Sequence, residues 1–101
     1  MAITVNRLRR TIQLTAIGED WVLSSLDLAS DKIESVSFLP GAADDVLVMK
    51  EGSATGPAVV NIAAAVVTTQ IQEFKGGHDL FLDHSDCTLT AGHSVTIILA
   101  R

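Results

Sequence analysis

The sequence predicts an all-β domain: a small antiparallel β-sandwich or barrel, jelly-roll-like. Three observations predict it. Residues 11–17 alternate polar and apolar side chains at period two, the pattern of a half-buried strand. Residues 76–100 alternate short apolar runs with turn residues, which fits packed β-hairpins with a final strand closing the fold. Turn signals recur about every eight to twelve residues, the spacing of a sandwich or barrel.

The elements follow in order. Residues 1–10 form an N-terminal arm, of which Val5 to Arg10 reads as an arm or an edge entering the fold. Arg7, Arg9 and Arg10 crowd there among few apolar neighbours. Residues 11–101 form a single β domain. Thr11 to Ile17 is its first strand, turned by Gly18-Glu19-Asp20. Trp21 to Leu28 begins as a strand and then loses its alternation. Ile33 to Leu39 is β-branched and aromatic, hence a strand, and Pro40-Gly41 ends it. Asp45 to Lys50 is almost continuously apolar, as for a strand buried on both faces. Residues 51–57 are a loop by composition.

Ala58 to Phe74 supports two readings. Val59, Ile62, Ala63, Val66, Val67, Ile71 and Phe74 would share one helical face. Val60, Ile62, Ala64 and Val66 also fit period two, and no capping box marks a helix start. A strand at about 58–63 and extended chain at 70–74 are favoured, with one short helix near residues 61–69 as the alternative. Leu80–Leu82, Cys87–Leu89 and Ser94–Leu99 complete the strands.

Composition bounds what such a domain can do. A chain of 101 residues makes one domain. At this size, folding buries roughly 64% of the surface exposed in the unfolded chain. Hydrophobic residues are 48% and charged residues 19%, against a usual charged share of about 25%. That excess is hard to hide in so small a domain, so burial against other copies or a larger partner is expected. Net charge is −5, which argues against nucleic acid or an anionic membrane surface as partner. No apolar run approaches the ~20 residues that span a bilayer. The first residues lack a signal-peptide pattern. A single Cys87 excludes an intrachain disulfide and suits a reducing cytoplasm. Four aromatic residues, Trp21, Phe38, Phe74 and Phe81, barely furnish a core and leave none for a ligand-stacking platform.

Two constellations have chemical readings. His78, Asp79, Asp83, His84, Asp86 and His93 could ligate a metal, as in a small cupin-like enzyme. The close His-x-His pair and downstream Glu of that site are missing, and turn residues cap backbone groups anyway. Cys87 could be a nucleophile with His84 or His93 as base, but its strand context suits a packed thiol. Asp44-Asp45 and Glu19-Asp20 read as solvated turn carboxylates. No catalytic or phosphate-binding motif occurs, so no catalytic residue, cofactor or metal ligand is expected. Arg7, Arg9 and Arg10 are the candidate contacts to an acidic protein surface, since guanidinium forks pair with carboxylates.

From Gly76 to His93, with the terminal run Val95-Thr96-Ile97-Ile98-Leu99-Ala100, the chain resembles small virion structural proteins of tailed bacteriophages, in particular capsid (head) decoration proteins. The likeness covers the last third. It implies a non-enzymatic protein that binds the assembled capsid through the major capsid protein and stabilises it. It further implies self-association, often as a homotrimer, on a virion assembled in the bacterial cytoplasm. The alternatives are a tail- or fibre-associated β module for host attachment, or the cupin-like metal enzyme.

Overall fold

The computed structural model describes residues 1–26, 32–74 and 79–100. Nine strands are present there: β1 (Ala2–Asn6), β2 (Thr11–Thr15), β3 (Trp21–Val22), β4 (Ile33–Leu39), β5 (Asp45–Glu51), β6 (Ala58–Ala64), β7 (Gln70–Glu73), β8 (Leu80–Leu82) and β9 (Ser94–Leu99). Two single 3-10 turns, Leu23–Leu26 and His84–Asp86, are the only helical elements among the described residues.

The strands form two antiparallel sheets, ordered β1-β2-β9-β4-β7 and β3-β8-β5-β6. With β1 set aside, the chain winds four strands into each sheet in the double Greek-key order of a jelly roll. The all-β expectation holds, and the sandwich is of jelly-roll type.

The period-two pattern builds the core. Ile12 and Leu14 on β2 share a face with Val95 and Ile97 on β9 and with Val36 and Phe38 on β4, as the strand pairings require. All six are fully buried. Leu47, Met49, Val60, Leu80 and Leu82 supply the facing layer. Burying a large apolar side chain stabilises by about 1.5–3 kcal/mol, so this interleaved layer is the main source of stability.

The structure revises several sequence expectations. The last third is not a hairpin stack: β8 lies in one sheet and β9 in the other, and β9 is the central strand of its sheet. Alternation specifies which face is buried and is silent on which strand pairs with which. No helix forms at 61–69. Residues Ala58–Ala64 pair with β5, with Val60 opposite Met49 and Ala64 opposite Asp45, and bends follow. Period two prevailed over period 3.6 because β5 offers a strand edge to the β-branched side chains. Trp21 to Leu28 keeps two strand residues before its 3-10 turn, and Asp27 and Leu28 lie outside the described residues. Cys87–Leu89 holds only a single bridge, Thr88 to Val46. It continues along β5 after the 3-10 turn at His84–Asp86 interrupts the pairing.

Residues 2–6 are a strand at the edge of the five-stranded sheet. Ile3 pairs with Leu14 and Val5 with Ile12. The Gly76-Gly77 turn and His78 lie outside the described residues.

Candidate interaction surface

The arginines sit together at the tip of the β1–β2 hairpin. Asn6 Oδ1 accepts the Arg9 N–H at 3.0 Å and shapes the turn. Arg10 adopts a left-handed backbone, φ 55°, which closes it. Its Nε donates to the Ala100 carbonyl at 3.2 Å, and its own carbonyl accepts the Leu99 N–H at 2.9 Å. Arg10 therefore ties the hairpin to the end of β9. Arg7 and Arg9 are exposed, and Leu8 between them is 87% exposed. Lys32 lies beside this end, lining a surface groove with Arg9 and Ala100.

The opposite end of the strands carries acid. Glu19, Asp20 and Asp44 are exposed in the turns after β2 and β4. Glu34, Glu51, Glu73 and Asp79 share the strand ends nearest the arginines, so the basic charge is concentrated at the hairpin tip.

The outer face of the five-stranded sheet has almost no charge. Pairing places Ala2, Thr4 and Asn6 beside Thr15, Gln13 and Thr11, and these beside Ser94, Thr96 and Ile98. Ser35, Ser37 and Leu39 of β4 and Ile71 of β7 extend the same face. Glu73 and, at the β4 bulge, Glu34 are its only charged residues among those described. A solvated sheet face normally carries interspersed Lys and Glu. Val66, Val67, Leu39 and Ile71 are large exposed apolar residues around the β6–β7 turn and the adjoining strands.

The residues with chemical potential have structural partners. Asp45, 1% exposed, accepts the N–H groups of Gly41, Ala42 and Thr90 and the Thr90 hydroxyl. Burial works to raise its carboxyl, but those hydrogen bonds outweigh it and hold the group below its ordinary value. Lys50 Nζ bridges Asp83 at 2.7 Å and Asp86 at 2.8 Å. These bonds push the ammonium up and, with the Ser85 hydroxyl, hold the Asp83 carboxyl down. Asp79 accepts the Ser24 N–H, and Asp20 the His84 N–H.

His93 is buried. Its Nε2 accepts the Ile17 N–H at 2.9 Å, so its Nδ1 carries the proton and donates to the Thr90 carbonyl at 2.7 Å. Cys87 Sγ accepts the Val48 N–H at 3.3 Å and donates to the Val48 carbonyl at 3.5 Å. Burial pushes this thiol up, away from the reactive thiolate.

The structure therefore separates what the sequence sets side by side. Asp83 and Asp86 converge on Lys50, His84 joins Asp20 through its backbone, and His93 holds a different turn. Among the described residues no three His, Cys, Asp or Glu side chains come together as a metal site. The uncharged sheet face was not anticipated from the sequence. Its signal was present in the outward positions of residues 11–15 and 94–98, which are Thr, Gln, Ser and Ile throughout.

Searches against protein-family models, curated proteins and solved structures found no match to this chain.

Proposed function

We propose that this domain is a non-enzymatic virion structural protein, one that binds an assembled phage capsid and stabilises it while associating with other copies of itself. The observation that carries the reading is the outer face of the five-stranded sheet. Fourteen strand positions of this face hold Glu73 as their one charged residue among those described, with Glu34 added at the β4 bulge. Such a face loses little on desolvation, because it holds few ions to strip of water.

The basic hairpin tip supplies orientation. Arg7 and Arg9 suit carboxylates on an adjoining protein, and forked guanidinium pairs fix geometry as well as charge. Each contact is modest, but a shell repeats it many times, so the total resists disassembly. The mechanism is mechanical: each copy buries area across a junction between capsid subunits.

The test is capsid stability. Undecorated phage capsids, assembled from purified major capsid protein, are heated with and without the purified domain. The reading expects disassembly at a higher temperature with the domain present. An unchanged disassembly temperature at saturating protein would overturn it.

A further inference from the structure

The two sides of the sandwich end differently. On one side, β6 and β7 are the edge strands of the two sheets, and they are stitched together. Gln72 sits on the core-facing side of β7, opposite Val36, and its Nε2 donates to the Val59 carbonyl of β6 at 2.6 Å. On the other side, β3 is only two residues long, while β1 runs for five. Among the described residues, β1 pairs with β2 alone.

β1 also overhangs. Ile3 and Val5 face the core side, because their cross-strand partners Leu14 and Ile12 are fully buried. Yet Ile3 is 39% exposed, since the opposite sheet has four strands against five. Exposed edges are usually blunted by Lys, Pro, a bulge or an inward-pointing charge. Ala2-Ile3-Thr4-Val5-Asn6 has none of these, and its pairing with β2 is unbroken.

We propose that β1 is a pairing edge for β1 of a second copy, antiparallel about a two-fold axis through Thr4. This names the surface for the self-association in the reading above and rests on that part of it. The two five-stranded sheets become one continuous sheet. Ile3 of each copy then lies opposite Val5 of the other, on the side where Ile3 now meets water. Charge fits the same register. The antiparallel arrangement carries each basic tip, Arg7 to Arg10, past Ala2 of the other copy. There it runs alongside the other copy's acidic turn at Glu19 and Asp20, which follows the strand paired with β1. The contact forms twice by symmetry, whereas a parallel pairing would set basic tip against basic tip.

Sedimentation velocity over a concentration series tests this, in wild type and in Thr4→Lys. Thr4 is exposed, so the substitution spares the core, and it sets two ammonium groups face to face across the axis. The expected result is a wild-type dimer whose dissociation constant rises at least about tenfold in Thr4→Lys. A second pair of variants guards against a fold defect. In a Cys87→Ala background, Thr4→Cys is expected to form a covalent dimer with a short bis-maleimide. Gln13→Cys, one strand inward on the same face and about 14 Å from its symmetry mate, is expected to remain uncrosslinked. A wild-type monomer at all concentrations would overturn both the pairing and the self-association. An assembly that persists in Thr4→Lys, a trimer mass, or absent crosslinking in the Thr4→Cys variant would overturn the pairing alone.

Discussion

Asp45 and Thr90, 45 residues apart in sequence, are joined twice: the Thr90 N–H reaches Oδ2 at 2.9 Å and the Thr90 hydroxyl reaches Oδ1 at 2.7 Å. The same carboxylate gathers the N–H groups of Gly41 and Ala42. One buried side chain thus locks the β4–β5 turn to the segment leading into β9. Gly41 is held there so closely that a Cβ would clash with the Thr90 and Ala91 carbonyl oxygens.

Asp45→Ala strands three part-buried N–H groups, each costing up to about 1–3 kcal/mol unless the turn reorganises. The expected loss is roughly 2–4 kcal/mol, read from urea unfolding followed by the single, buried Trp21. Thr90→Val, which removes the hydroxyl and keeps the backbone bond, is expected to cost about 1 kcal/mol. Equal losses from the two would show that the hydroxyl carries the lock.

Stability falls on the acid side. The Asp45 and Asp83 carboxyls are held below their ordinary value of 3.8 in the folded state. Each therefore contributes stability that is fully present above the unfolded carboxylate value and is lost as pH falls toward the lower folded one. The Lys50 ammonium is raised above 10.5, so its contribution is present below that value and lost as pH rises above it. Thermal unfolding between pH 2 and 6 is expected to show a falling midpoint toward the acid end, with a shallower fall in Asp45→Asn. A pH-independent midpoint in the wild type would contradict this assignment.

Cys87 and the two described histidines differ in how much the fold depends on them. His93→Ala removes the acceptor of the buried Ile17 N–H and is expected to cost about 1–3 kcal/mol. His84→Ala, whose turn is held through its backbone N–H, is expected to cost less. Cys87, with its raised thiol, is expected to react with an alkylating reagent more slowly than a free cysteine at pH 8. Reaction at the free-thiol rate would place Cys87 outside its pocket at Val48.

How far the sequence could be read follows from where the information lies. Ile33–Leu39 and Ser94–Leu99 were legible to the residue, because alternation and flanking turn residues are local. Asp45–Lys50 read as doubly buried, and Val48 is indeed buried on its outward side. The partners of these strands were not legible, since β9 joins β2 and β4 across more than fifty residues of chain and no local pattern encodes that choice. The 3-10 interruption at His84–Asp86 was hidden for a similar reason: it exists to seat Asp83 and Asp86 on Lys50, a contact between distant segments. The basic tip was visible as three arginines. Its place on a paired hairpin, with Arg10 tied to the end of β9, was not.

That placement changes how the tip is tested. Deleting residues 1–9 would strip β1 from β2 and uncover Ile12 and Leu14, so point substitutions at the exposed arginines are the cleaner probe. The most direct measurement is co-sedimentation of the domain with undecorated capsids, as a titration at two salt concentrations. The account predicts saturable binding that weakens in Arg7→Ala/Arg9→Ala and weakens with salt, because exposed charge pairs are screened over about 10 Å at 0.1 M. A domain that stays in the supernatant at every concentration and both salt levels would contradict the account.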